Sequence, residues 1–256
     1  MASRFSPSRA AAAAAVCVAL FGALAHADDA APACSPNNVR VVTGAPYSAL
    51  GTSQTVTTLP DGNRVVRQNT IRQWRDSDGR TRSEYSLSSI GGPRPLELNA
   101  TVTVIDDPAA RERYMLQPGA RVALTMPIVP CRAGTPALEP DVTVGPPRPA
   151  NLPLKVSPRV KLGERKLDGE TVAGSRIEAT IPAGAIGNEQ PIKMSAEQWY
   201  GKDLQVVVEA TYQDPRTGET KYKLSDIDRA EPDAKLFKVP DDYSKQPAPA
   251  STRNRR

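Results

Sequence analysis

The stretch Leu204-Gln205-Val206-Val207-Val208-Glu209-Ala210-Thr211-Tyr212 decides the fold class. Leu204, Val206, Val208, Ala210 and Tyr212 fall on one side of an extended chain. Gln205, Val207, Glu209 and Thr211 fall on the other. A period of two with one wetted face is the signature of a strand in an antiparallel sheet. The flanks agree. Asp214-Pro215-Arg216-Thr217-Gly218 is turn chemistry, and Glu219 to Ile227 returns with Tyr222 and Leu224 inward. Upstream, Arg176 to Ile181 alternates in the same way, and Asp168-Gly169 marks a turn after Lys161–Leu167.

The same grammar runs through the first half. Thr52–Leu59 meets the turn Pro60-Asp61-Gly62-Asn63, Arg64–Arg75 closes on Asp76-Ser77-Asp78-Gly79, and Thr81–Ser88 returns. Asn99–Ile105, Arg111–Leu116 and Arg121–Met126 follow, separated by Asp106-Asp107-Pro108 and Gln117-Pro118-Gly119. The segment 107–116 could instead be a short helix, but a turn-forming Asp pair before proline, with strands on both sides, favours a hairpin. No amphipathic helix of convincing length occurs after residue 27. The expected class is mainly β, a curved antiparallel meander sheet with little helix.

Residues 1–27 read as a secretory signal. Arg4 and Arg9 precede the apolar run Ala10–Leu24, and Ala25-His26-Ala27 supplies a small-x-small site with cleavage after Ala27. The expected location is therefore periplasmic or secreted. Cleavage removes His26, the only histidine, so the mature chain has no Ser-His-Asp triad, Cys-His pair or His-ligated metal. Cys17 leaves with the signal, and Cys34 and Cys131 are expected to form one disulfide, since export permits it and neither sits in a redox motif. The organisation expected after the signal is a first β block (28–126), a Pro-rich connector (127–158), a second β block (159–243) belonging to the same domain, and a disordered basic tail (244–256). The connector reads as extended, because proline fixes φ and donates nothing to a ladder.

Few residues suggest chemistry. Asp76-Ser77-Asp78-Gly79 begins a calcium-loop spacing but lacks its later ligands, so a hairpin turn is the simpler reading. Asp106 and Asp107 are adjacent and point apart in a strand end. No nucleotide or acyl-transfer motif occurs. No metal or cofactor is expected. Arg64, Arg67, Arg72, Arg75, Arg80 and Arg82 surround Trp74 on one basic hairpin, either a solvated strand pair or an anionic-ligand surface. Export argues against nucleic acid, and the basic tail supports at most peripheral membrane contact. Trp74, Arg72, Arg75 and Trp199 are the candidate ligand or partner contacts.

Three segments resemble a group of uncharacterised secreted bacterial proteins: Trp74–Glu84 (WRDSDGRTRSE), Thr180–Ile192 (TIPAGAIGNEQPI), and Gly218–Tyr222 continuing through Glu231-Pro232-Asp233 to Leu236–Tyr243 (LFKVPDDY). Long hairpins closing on an LFxVP strand also look like LolA-like and RseB-like periplasmic half-barrels. That resemblance implies a curved sheet whose concave face holds lipid or acyl chains, and it transfers no catalytic residue. The expected function is non-enzymatic binding of an apolar ligand or a partner segment. The alternatives are an envelope protein–protein interaction or structural module, and a hydrolase working through carboxylates alone.

Overall fold

The computed structural model describes residues 39–86, 101–132 and 153–249. Contacts divide the chain into units 1–30 and 31–256, and every described residue belongs to the second. The signal segment, Cys34 and residues 250–256 lie outside the described residues.

Among the described residues fifteen strands form: β1 (Val39–Val41), β2 (Tyr47–Thr58), β3 (Arg64–Arg75), β4 (Thr81–Ser86), β5 (Thr101–Asp107), β6 (Glu112–Gln117), β7 (Val122–Pro127), β8 (Pro130–Arg132), β9 (Lys155–Val156), β10 (Val160–Leu167), β11 (Glu170–Ile181), β12 (Ile192–Gly201), β13 (Val206–Asp214), β14 (Gly218–Asp228) and β15 (Ser244–Pro247). One 3₁₀ turn, Ala234–Phe237, is the sole helical element among the described residues. The class is mainly β, as the alternation predicts.

Thirteen strands make one open sheet in the order β10-β11-β12-β13-β14-β2-β3-β4-β5-β6-β7-β15, with β9 also on β11. It is a meander of the half-barrel type, antiparallel except where β15 pairs parallel with β7. Strands from both sides of residues 127–158 share this sheet, and the seam between the halves is β14 against β2, Tyr222 opposite Ser53. Bulges at Lys161/Gly163, Trp199/Tyr200 and Ser225/Asp228 add bend and twist to their strands. The small parallel pair β1–β8 stands apart as a second sheet.

The turns follow their sequence chemistry. Gly62 and Gly79 both adopt positive φ, 84° each, and the Asp61 carboxylate accepts from the Asn63 amide at 2.9 Å. The Asp107-Pro108 segment is a hairpin turn, since Asp107 Oδ1 accepts from Ala109 and Ala110 amides.

Apolar side chains gather in two clusters, and cross-strand register puts them on opposite faces. Tyr47, Ala49, Val208, Ala210, Tyr222 and Leu224 belong to the first cluster. Ile105, Tyr114, Leu116 and Ala123 belong to the second, closed by Phe237 of the 3₁₀ turn with Trp74, Leu236, Val239 and Tyr243 against it. The row Ser48–Trp74–Arg82–Ile105–Tyr114 is offset by one residue from the row Tyr47–Arg75–Thr81–Asp106–Arg113. A one-residue offset is the other face. The segment after β14 therefore crosses to the second face and covers β4–β7, held by Arg82 Nη1 donating to the Leu236 carbonyl at 3.0 Å and by Arg80 over the Phe237 ring.

Two sequence expectations differ. Residues just after Tyr243, expected to be disordered, instead begin with β15: Ser244–Pro247 satisfies the outer edge of β7, with Ser244 N donating to Arg121 O at 2.9 Å. A bare sheet edge accepts any extended partner, so low hydrophobicity does not prevent pairing. The start of the connector also carries a strand, β8, where Cys131 is fully buried.

Candidate functional site

The face of β3–β7 opposite Phe237 carries the candidate site. Register places Leu224, Gly51, Ile71, Tyr85 and Val102 in one row, and Ala49, Gln73, Ser83, Val104, Met115 and Leu124 in the next. Met126 lies in the third row, opposite Arg113. Ile71, Val102, Val104, Met115, Leu124 and Met126 are half-buried, and Tyr85 is exposed at 38%. On the other face of the same strands, Ile105, Tyr114, Leu116 and Ala123 are all buried. The two faces of one ladder are thus unequally covered, and the less covered one keeps an apolar band seven side chains long.

A fixed polar group borders this band. Arg113 clasps Asp106 in a two-point ion pair, Nε to Oδ1 at 2.6 Å and Nη2 to Oδ2 at 2.8 Å. That bond pushes the Arg113 guanidinium pKa up further, against the opposing effect of burial. On the covered face, burial raises the Tyr114 hydroxyl to about 12, with its bond to Glu112 adding to the rise. Neither group titrates near neutrality.

The four candidate contacts separate. Arg75 faces the first cluster and is 4% exposed; it donates to the Ala45 carbonyl through Nε and Nη2 and to the Leu204 carbonyl at 2.5 Å, with the Tyr47 ring 4.8 Å away. Trp74, one residue earlier, packs on the second cluster across the sheet. Arg72 shares the Trp74 face and is exposed. Trp199 lies in the first cluster at 8% exposure, its indole N–H donating to Glu197 at 2.9 Å. The structure does not bring these four together. The sequence does not mark the band, because Val102, Val104 and Met115 alternate with equally apolar Ile105, Tyr114 and Leu116, so neither face reads as wet.

The carboxylates are occupied. Asp76 accepts from Arg80 through both backbone N (2.8 Å) and side chain (2.5 Å), which makes Asp76–Gly79 a pinned turn. Asp106 is bound to Arg113 while Asp107 caps its turn. Among the described residues no cluster of three His, Cys, Asp or Glu side chains is placed to hold a metal. No helix among them is long and apolar enough to cross a membrane.

A cleft of about 590 Å³ opens where the β11–β12, β13–β14 and β2–β3 hairpins converge, lined by Val56, Arg64, Arg176, Lys193, Met194 and Arg216 among others.

No protein-family model matches this chain, and no curated protein matches it. Among solved structures it overlaps MucB with TM-score 0.37 and 11% identity, over 78% of this chain and 58% of MucB. LprF from Mycobacterium bovis overlaps with TM-score 0.35 and 11% identity, over 78% of this chain and 91% of LprF. A LolA-superfamily protein from Nitrosomonas europaea gives 0.33 and 10%, over 80% and 91%. The chain spans under two thirds of MucB, and all three likenesses are loose.

Proposed function

We propose that this is an exported, non-enzymatic binding protein that holds an apolar chain, such as a lipid acyl chain, along the Ile71–Met126 band. The observation that carries this reading is the asymmetry between the faces of β4–β7. One is closed by the chain's own Phe237 segment, while the other leaves Tyr85, Val102, Val104, Met115 and Leu124 partly in water. Completing the burial of such a band with a ligand stabilises the complex by roughly 25 cal/mol per Å² removed from water. The Asp106–Arg113 pair offers a polar stop at one end, and the Gln73 and Ser83 side chains interrupt the apolar surface at β3 and β4.

The leader-like residues 1–27 support an extracytoplasmic location, and the burial of Cys131 supports a Cys34–Cys131 bridge in an exported chain. The test is native mass spectrometry of protein isolated from the cell envelope, together with displacement of a fluorescent fatty acid. Copurified lipid, or saturable displacement lost in Met115→Asp, supports the reading. Empty protein that ignores the probe refutes it.

A further inference from the structure

Charge is sorted unevenly between the two faces of the strands that carry the band. Pairing of β2 with β3 is unbroken from Tyr47–Arg75 to Thr58–Arg64, so Arg67, Asn69, Ile71, Gln73 and Arg75 all stand on the band face. Following the rows through β4–β7, and back through β2 to Gly218–Leu224 of β14, adds Asp106 and Arg113 as the remaining ionised side chains of that face among the described residues. Glu84, Asp107, Glu112 and Glu219 stand on the opposite face. Three guanidinium groups thus share the band face with one carboxylate. Their engagement differs. Arg113 is neutralised by Asp106 in the two-point ion pair. Arg75 is buried and donates to the Ala45 and Leu204 carbonyls. Arg67 is exposed, and it makes no hydrogen bond, ion pair or ring contact among the described residues. It stands beyond the end of the band opposite the Asp106–Arg113 pair, four residues of β3 past Ile71, or about 13 Å at roughly 3.3 Å per residue.

An amphiphile whose chain lies on the band has its head group at one end or the other. The Arg113 end offers no net charge, because Asp106 already occupies both sides of the guanidinium fork. The Arg67 end offers a guanidinium with its fork open, and that fork matches two oxygens of a carboxylate or phosphate in parallel bonds. The surface under such a head group is polar: Thr55 lies directly across from Arg67, and its hydroxyl is 3.0 Å from that of Thr220. A single open cation is balanced by a single negative charge. We propose that the ligand of the band is a monoanionic lipid, its acyl chain on Ile71–Met126 and its head group paired with Arg67. This inference rests on the band reading and adds to it the charge and the direction of the ligand.

The negative charge can come from the carboxylate of a fatty acid or from the phosphodiester of a phospholipid, and competition separates them. A fluorescent fatty acid bound to the full chain is displaced with palmitate, with palmitoyl lysophosphatidylglycerol or with neutral monopalmitin, three competitors that share one acyl chain. The expected result is that at least one anion displaces the probe at about tenfold lower concentration than monopalmitin. In Arg67→Gln that advantage should fall below about twofold, through weaker binding of the anion. Arg72→Gln removes the same charge from an equally exposed position on the opposite face of β3, and it should leave the advantage intact. Added salt should narrow the advantage, since Arg67 is wet. An advantage for palmitate alone assigns a carboxylate, and one for the lysophospholipid alone assigns a phosphodiester. Anions and monopalmitin displacing equally well would leave the band reading standing and overturn this inference. An advantage that survives Arg67→Gln, or that Arg72→Gln abolishes just as well, overturns it too. Failure of all three competitors would remove the band reading and the inference with it.

Discussion

The Arg165 guanidinium carbon lies 3.7 Å from the centre of the Trp199 ring, and the Arg165 Nη2 donates to Glu209 at 2.6 Å. Beneath the indole is Gly174, where an added Cβ would meet Trp199 ring carbons at 2.6 and 2.7 Å and Leu162 Cβ at 2.9 Å. Trp199 is thus sandwiched between a cation and a bare backbone, a packing role rather than an open platform.

Gly174→Ala should therefore destabilise by about 1–3 kcal/mol through overpacking, and Trp199→Ala by about 3–5 kcal/mol. Arg165→Ala should cost only about 0.5–1 kcal/mol, the range of an exposed cation–π contact. Urea unfolding midpoints give the order. A milder effect for Gly174→Ala than for Arg165→Ala would contradict this packing.

Gly218 adopts φ +101°, and a Cβ there would stand 2.0 Å from the Val56 carbonyl oxygen at the β14–β2 seam. Gly218→Ala should be among the most damaging single changes, about 3 kcal/mol or more, since both strain and a backbone clash act at once. Thermal melting checks it, and a wild-type melting temperature would be incompatible with the seam.

Acid should weaken the fold at Asp214. Burial alone would raise its carboxyl pKa, but the Arg216 side-chain bond, the Arg216 amide, the Arg216 charge and the Tyr212 hydroxyl together bring it below the ordinary value. A carboxyl lowered by folding adds stability above its unfolded pKa, and that contribution disappears as pH falls through the folded value. Asp214→Asn should lose about 1–3 kcal/mol at neutral pH and show a flatter decline as the pH falls below the ordinary carboxylate range. Parallel acid limbs in variant and parent would show that Asp214 is not the group responsible.

Peptide mapping without reductant should recover Cys34 linked to Cys131. A bridge closing about 97 residues constrains the unfolded chain by about 4–5 kcal/mol on the loop-entropy model. Reduction should then lower the unfolding midpoint, and two free thiols in exported protein would remove the bridge from the picture.

Much of the local structure is written in the sequence. Arg64–Arg75 is read to the residue, and Arg111–Leu116 and Arg121–Met126 each lie within one position of β6 and β7. Period-two alternation and turn chemistry act between neighbours, so they are visible one segment at a time. The β14–β2 seam is not, because its partners Thr55 and Thr220 are 165 positions apart and nothing local marks either as the other's mate. Arg75 misleads for a related reason. A charged residue in a basic hairpin reads as surface, yet its guanidinium is a fork that satisfies the carbonyls of Ala45 and Leu204 brought in from distant segments. The band is not marked either, because β5–β7 carry apolar side chains on both faces, and only the placement of Phe237 decides which face is sealed.

The β14–β2 seam also governs how the chain can assemble. A ribosome delivers β2 and β3 first, and the flank of β2 that β14 will occupy has no partner until nearly the whole polypeptide has emerged. For that interval a twelve-residue ribbon presents an open row of amide and carbonyl groups. Completion must wait for a late strand, so folding should be slow for the chain's size and dependent on a holding factor that keeps β2 from recruiting a neighbour.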